Sequence, residues 1–481
     1  MSEKQNIVKF ILNDKVVEIN FEKEKLSPTT TLLKYLRKTP DHKGVKEGCG
    51  EGDCGACTVT IADIDENGKL HYKAFDSCLI FLPSIHGKQV ITVEGIGNSQ
   101  NMHPVQEAMV ETDGSQCGYC TPGFTMSMFA MYKEYQKPSK DVILDAFTGN
   151  LCRCTGYKPI IEAAEKSCVN NGKDKFSETE SEVVKSLQEI KKEITSISIA
   201  TENQQYFVPS TLKEALELRK KYPTANITNG GTDIALRVTK RNEVLPIIID
   251  LSIVPGLKKS EISENEIVIG TGKNLEDVRL MVEKTFPALY EMLSIFGSKQ
   301  IRNRATFGGN IGSASPIGDT TPVLMAYDAV LVLQNLEGSR EIRLREFITG
   351  YKTTKMAADE LIIAVKIPKF PSNEIIKSYK NSKRKDLDIS TVSGCFRLKL
   401  NKSQVEEICL VYGGMAATTS RSSQAEAFLK GKEWNRENVE KAMTLVDQDF
   451  TPISDARSSA EGRKIMARNL LLKFFSETKA N

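Results

Sequence analysis

GCGEGDCGACTV, residues 48–59, sets Cys49, Cys54 and Cys57 at C-x4-C-x2-C spacing, and Cys78 follows 21 positions after the last of them. Two bridged irons need four thiolates converging on one place, and this is the ligand spacing of a plant-type [2Fe–2S] cluster. Gly48, Gly50, Gly52 and Gly55 let the backbone wrap closely and aim its N–H groups at the sulfurs. An all-cysteine zinc site is the alternative, although zinc ribbons favour two paired C-x2-C knuckles.

The flanking residues read mostly as strands. VKFILND and KVVEINF form a hairpin, Thr30 is placed to cap a short helix through TLLKYLRK, and CTVTIADID and KLHYKAFDS flank the turn pair Asn67-Gly68. KQVITVEG closes the unit. Two hairpins around one helix predict a β-grasp domain over residues 1–93. The N-terminus breaks its apolar character at Asn13, Asp14 and Lys15, so a secretory signal is not expected.

Residues 94–169 change to short helical segments: HPVQEAMVET with Pro104 near its start, TPGFTMSMFAMYKEY, KDVILDAF capped by Ser139, and IIEAAEKSC opened by Pro159. They predict a small helical bundle with a second tetrad at its loops: Cys117 and Cys120 in QCGYCTPG, Cys152 and Cys154 in NLCRCTGY. Thiol-only ligation suits zinc or iron–sulfur chemistry, and this tetrad alone leaves both open. Beside the first, it makes a relay of two one-electron centres. Cys168, Cys395 and Cys409 have no tetrad partners and read as small buried hydrophobes.

Residues 170–205, rich in Lys, Glu, Ser and Asn, read as a charged, solvated linker with a weak helical pattern in VVKSLQEIKKEI. Helices and strands then alternate over 206–369, and 370–481 carries three strand candidates followed by helices, a separate α+β lobe. The whole is a multidomain α+β chain. Two glycine-rich segments could cradle phosphates through converging N–H groups: Asn229-Gly230-Gly231-Thr232-Asp233, and Thr306-Phe307-Gly308-Gly309-Asn310 running on to Asp319. Either alone is also compatible with a tight turn. Gly270-Thr271-Gly272 has Leu275 where a dinucleotide fingerprint needs a small residue, so it reads as a strand-to-helix turn, and the chain has no Rossmann fingerprint.

Composition excludes more than it assigns. A formal charge of +3, from 65 basic and 62 acidic side chains in 481 residues, gives no electrostatic reason for a nucleic-acid or membrane partner. No apolar run approaches the roughly 18 residues needed to span a bilayer. Grouped cysteines suit metal ligation in a reducing cytoplasm better than disulfides. All four histidines, at 42, 71, 86 and 103, lie in the first domains or their junction, so the remainder works without an imidazole. That excludes a Ser-His-Asp hydrolase or a His-ligated metal there.

In order, GCGEGDCGACTV, SQCGYCTPGF, NLCRCTGY, NGGTDI, ATFGGNIGSASPIGD and SYKNSKRKDLDIS resemble the molybdenum hydroxylase family over nearly the whole chain. Carriage of iron–sulfur and flavin parts on one polypeptide is similar to the small subunit of two-component bacterial xanthine dehydrogenases. In carbon monoxide dehydrogenase and nicotinate-type relatives these parts are usually separate.

The resemblance implies two [2Fe–2S] clusters, FAD in a non-Rossmann domain of the vanillyl-alcohol-oxidase type, NAD as co-substrate, and a large molybdopterin-binding partner in a heterodimer or its dimer. Molybdopterin would be on the partner only, for which no region fits within this chain. It implies a relay from the partner's molybdenum, which oxidises hypoxanthine and xanthine to urate, through both clusters to FAD and NAD. In the family the 117/120/152/154 cluster lies nearest the molybdenum and the 49/54/57/78 cluster nearest the flavin. By analogy the FAD contacts fall on Ile227, Thr228, Asn229, Gly230, Gly231, Thr232, Asp233, Ile234, Phe296, Thr306, Phe307, Gly308, Gly309, Asn310, Asp319, Ile362 and Lys380. The NAD side falls on Tyr351, Arg384, Asp386, Asp388 and Ile389. Asp233 stands where many relatives have Glu, and Leu387 where an acidic residue is expected beside the flavin. Two readings compete: the same relay in a hydroxylase of aldehydes or N-heterocycles, and a zinc-stapled interaction protein.

Overall fold

The computed structural model describes residues 6–169 and 172–479. The opening residues 1–5 of the expected first domain, the first two of the expected linker and the last two of the C-terminal lobe lie outside the described residues. The chain forms two compact units: Met1–Leu218 with Thr224–Val254 and Gly297–Ala305, and Arg219–Pro223 with Pro255–Phe296 and Thr306–Asn481.

In the first unit, five strands are ordered Lys15–Asn20, Ile7–Leu12, Gln89–Ile91, Thr58–Ile64, Leu70–Asp76. Ile7–Leu12 pairs parallel with Gln89–Ile91, and every other pairing is antiparallel, the β-grasp arrangement. The helix Leu32–Lys38 buries Leu32, Leu33 and Leu36. Its cap is Thr31 and not Thr30: the Thr31 hydroxyl accepts the Lys34 N–H, which fixes the first helical residue at Leu32. The second hairpin turns through Asp65–Lys69, longer than the expected Asn67-Gly68 pair. The Asp65 carboxylate accepts N–H bonds from Asn67 and Lys69, and of the turn pair only Gly68 takes a positive φ.

The helix Thr121–Glu134 is buried without a break from Gly123 to Tyr132, so it is the axis of the bundle. Pro104–Glu111, Lys140–Ala146 and Lys158–Ser167 surround it, and Thr60 Oγ ties it to the β-grasp sheet through the Met126 carbonyl. The stretch expected as a solvated linker is largely structured. Its helix Glu180–Glu193 buries Leu187 and Ile190 against Ile11, and Lys191 and Glu193 pair with Asp63 and Lys9. Its end, Ile197–Ala200, is already a strand of the next sheet, ordered Ile197–Ala200, Gln205–Val208, Ile247–Asp250, Asn226–Thr228, the last three parallel. One apolar core runs from Phe10, Leu36 and Phe81 to Tyr206 and Ile248. At about 1.5–3 kcal/mol for each fully buried large side chain, this continuity makes the first cysteine domain and the parallel sheet one mechanical body.

The second unit holds an antiparallel sheet ordered Ser260–Ile262, Glu266–Gly270, Leu361–Pro368, Val330–Gln334, Ser339–Arg343. It also holds a second sheet of Glu374–Asn381, Val392–Asn401, Gln404–Gly413 and Ser420–Arg421. The helices Ser423–Leu429, Arg436–Asp449 and Ala460–Thr478 follow, and Trp434, Phe474 and Phe475 fill the core beside Phe396 and Tyr412. Gly270 ends a strand and Leu275 opens the helix Leu275–Val282, the strand-to-helix turn expected of that segment. Among the described residues no helix is long and apolar enough to cross a membrane.

Candidate redox centres

The first cysteine loop closes on itself as pairs. The thiol of Cys49 acts on that of Cys54, and the thiol of Cys57 on that of Cys78. The Cys49 sulfur also receives N–H bonds from Glu51 at 3.4 Å and Asp53 at 3.3 Å. The neighbouring Cys54 and these amides bring the Cys49 thiol down to about 5, while Cys54 is pushed up by Cys49 and by burial. Likewise Cys57 is lowered by Cys78, and Cys78, beside Cys57 and buried, is raised well above the usual thiol range. The buried Asp76 carboxyl lies 4.0 Å from Cys57 Sγ, and burial drives it well above the carboxylate range.

The second tetrad repeats the pairing, Cys117 with Cys154 and Cys120 with Cys152. Burial first, then Cys152, raises Cys120 to about 12. Cys152 Sγ lies 3.2 Å from Thr155 Oγ, and its N–H donates to the Tyr157 hydroxyl. Cys117 and Cys154 are exposed.

This donor set fits a two-iron cluster. Each iron needs two thiolates, and each tetrad supplies two pairs. Each pair is one lowered and one raised thiol, so loading would release the remaining protons. Cys168, Cys395 and Cys409 are buried, as their lack of partners suggested.

The two cysteine loops touch. Leu151 N–H, one residue before Cys152, donates to the Cys54 carbonyl at 3.1 Å. Gly55, at φ +67°, leaves no room for a Cβ against the Gly149 carbonyl. A buried amide network locks this approach. Asn150 Nδ2 donates to Gly55 O and Thr58 Oγ, both at 3.2 Å, and its oxygen accepts from Ser127 at 2.6 Å and Gln300 at 3.1 Å. Gln300 also donates to the Ala146 carbonyl. Sequence reasoning missed Gln300. Its only signal is its place six residues before the Thr306 motif, which says nothing of a cysteine loop far away in the chain.

Also in the first unit, Ile227 and Thr228 end a parallel strand, Asn229–Asp233 form the loop beyond its carboxyl end, and Ile234 leads into the helix Ala235–Thr239. Such loops are where open parallel sheets bind ligands. Gly230 sits against the backbone of Arg304 and Ala305, and Gly231 against the Leu79 carbonyl beside Cys78. Tyr206 donates to Asp250 at 2.6 Å, and the half-buried Arg304 donates to Ser84 at 2.7 Å. Burial raises Asp250 and lowers Arg304.

In the second unit, Thr306 caps the helix Phe307–Gly312 by accepting from Gly309 N–H, and Gly308 lies against Thr271, whose hydroxyl donates to the Ile362 carbonyl. Asn310 accepts from Thr320 at 2.5 Å. Asp319 takes Lys380 at 2.8 Å and Ser390 at 2.5 Å, and Lys380 also reaches the Ile295 carbonyl next to Phe296. The expected FAD residues of this unit therefore come together around Asp319 and the Thr306 helix. Among the residues expected on the NAD side, Asp388 is paired with Arg384 at 2.7 Å and its N–H is bonded to the Asp386 carbonyl, with Leu387 between them at φ +69°. Ile389 is exposed, and Tyr351 is an exposed residue on a different turn, between Ile348–Gly350 and Thr353–Thr354.

Residues 15–81 match the 2Fe-2S iron-sulfur cluster binding domain, 92–165 the [2Fe-2S] binding domain, 200–370 the FAD binding domain in molybdopterin dehydrogenase, and 377–478 the CO dehydrogenase flavoprotein C-terminal domain. A xanthine dehydrogenase of Emericella nidulans is 32% identical over 533 residues, covering 99% of this chain. A xanthine dehydrogenase/oxidase of Gallus gallus is 33% identical over 544 residues, covering 98%. The chain spans 39% of the length of each. Among solved structures, a carbon monoxide dehydrogenase from Hydrogenophaga pseudoflava has a TM-score of 0.54 at 24% identity, over 57% of this chain and 96% of that one, a likeness of fold.

Proposed function

The chain belongs to the molybdenum hydroxylase family, carrying its two [2Fe–2S] domains and its FAD domain, and from that premise we propose that it is the electron-transfer subunit of an NAD-dependent xanthine dehydrogenase. It is an oxidoreductase of this family with a relay role. The finer reading is that a separate molybdopterin-binding subunit oxidises the purine, and that this chain, resident in the cytoplasm, carries the electrons to NAD. When bound, the two clusters supply one-electron steps and FAD converts them to a hydride pair.

The observation that carries this reading is the hydrogen bond from Leu151 N–H to the Cys54 carbonyl, which joins two paired-thiol loops back to back. Cys49, Cys54, Cys57 and Cys78 would hold one cluster and Cys117, Cys120, Cys152 and Cys154 the other. The Glu51 and Asp53 amides stabilise charge on Cys49. Asn150, Ser127 and Gln300 keep the loops in register. The exposed Cys117 and Cys154 suit the face covered by the molybdenum subunit. For FAD, the Asn229–Asp233 loop offers N–H donors; the N–H groups of Phe307, Gly308, Gly309 and Asn310 are already bonded to Lys273, Thr271 and Thr306, and Asp319 holds the buried Lys380 in place. The domains follow as 1–93, 94–169, 206–369 and 370–481, with 170–205 as a strap between the second and third.

Metal and flavin analysis tests this. The full chain should bind about four irons and one FAD, from two [2Fe–2S] sites, and should oxidise NADH with an artificial acceptor without turning over xanthine. Xanthine turnover by this chain alone would refute the subunit role. A co-purifying partner active only on aldehydes or N-heterocycles would move the substrate, and zinc without flavin would overturn the relay.

A further inference from the structure

The helix that follows the Asn229–Asp233 loop returns to the first cysteine loop. Just past its end, Lys240 Nζ lies 3.0 Å from the carbonyl oxygen of Cys49 and 3.5 Å from Glu51 Oε2. Glu51 is also the residue whose N–H points at the Cys49 sulfur. The segment bearing half of the expected flavin contacts thus ends in a cation seated on a cysteine of the cluster loop.

The geometry points to Lys240 as a positioning residue that sets the reduction potential of the first cluster, with Glu51 as its counterweight. This rests on the reading of Cys49, Cys54, Cys57 and Cys78 as [2Fe–2S] ligands. Reduction adds one negative charge, and cluster potentials follow net charge and hydrogen bonding around the sulfurs. The Lys240 ammonium favours the reduced state, whereas the Glu51 carboxylate opposes it. Both side chains are under half exposed, at 44% and 43%, so their fields reach the cluster with partial screening and weaken as salt rises. By gripping the Cys49 carbonyl, Lys240 also fixes the turn that presents the Glu51 and Asp53 amides to Cys49. Its position raises the potential of the cluster nearest the flavin loop, drawing electrons forward from the second cluster.

The test is an EPR-monitored redox titration of the full chain, loaded with iron and FAD. Cys117→Ser, on an exposed loop, assigns the two signals. Lys240→Met should move the first cluster's midpoint to lower potential, Glu51→Gln should move it higher, and Lys240→Arg should restore the parent value. The second cluster should not shift, and the spread between variants should narrow at high salt. A merely structural tether would move Lys240→Met and Glu51→Gln in the same direction, and that result, or no shift in either, overturns the proposal. A parent chain without EPR signals would overturn the cluster reading itself, and so is told apart from a failure at Lys240.

Discussion

Gly230→Ala is the substitution that most directly tests the flavin loop. An alanine Cβ there would overlap the Arg304 carbonyl oxygen, lie 2.8 Å from the Arg304 carbonyl carbon and 3.0 Å from Ala305 Cα. All three are backbone atoms, so no side-chain rotation relieves the overlap and the Asn229–Asp233 loop must move. Forcing extra volume into a packed contact costs about 1–3 kcal/mol. If that falls on the FAD-bound state, binding weakens by about 5- to 150-fold at 1.4 kcal/mol per tenfold. Gly231→Ala is a matched comparison. Its φ of +77° strains an alanine by about 1–2 kcal/mol, but its nearest contact, the Leu79 carbonyl oxygen, stays at an ordinary 3.5 Å. Flavin fluorescence titration of the deflavinated chain measures both, with iron content reporting that the cysteine loops are intact. Gly230→Ala should lose the more FAD, and Arg304→Ala should not rescue it, because the overlap is with the main chain. Parent-like FAD affinity in Gly230→Ala, or rescue by trimming Arg304, would refute the close-approach argument.

Asp319→Ala strands the Lys380 ammonium, only 2% exposed, without its carboxylate. It should destabilise the second unit by about 3–5 kcal/mol in urea unfolding, and a change under 1 kcal/mol, roughly the value of a surface pair, would contradict the burial argument. Gln300→Leu removes the side-chain donor to the Ala146 carbonyl and leaves Asn150 Oδ1 with Ser127 as its donor, at about 1–3 kcal/mol for a buried group left unpaired, and should lower iron retention while leaving FAD bound. For Asp174, burial alone would raise the carboxyl, but bonds from His103 and Lys133 outweigh it and hold it well below the usual range. A carboxyl depressed on folding stabilises above its unfolded value of about 3.9 and loses that contribution as pH falls toward the folded value. The parent should therefore lose more stability than Asp174→Asn below about pH 4, and parallel pH profiles in thermal melts would exclude the effect.

Much of the site was legible because cysteine ligation is a pattern of spacing. C-x4-C-x2-C and the paired C-x2-C and C-x-C announce their chemistry without regard to tertiary context, and the β-grasp strands carry their own alternation. The 170–205 strap was misread because Lys and Glu dominate its composition, while only Leu187 and Ile190 of its longest helix are fully buried. Thr30 and Asn67-Gly68 failed by one residue and by turn length, because side-chain bonds to backbone N–H groups decide such details. Gln300, Lys240 and the Tyr206–Asp250–Arg304 group carried no motif, since nothing local marks an amide or a cation whose partner lies far along the chain.

The sequence alone determined which cysteines stand at ligand spacing and the order of the segments that carry them, because residue identity and short spacings are local properties. Only the tertiary structure decided which thiols of each tetrad act on one another, that Leu151 N–H meets the Cys54 carbonyl, and that Lys240 rests on Cys49. Those contacts join residues up to 191 positions apart, and burial of a shared apolar core, not any propensity of the residues themselves, holds them within hydrogen-bonding distance.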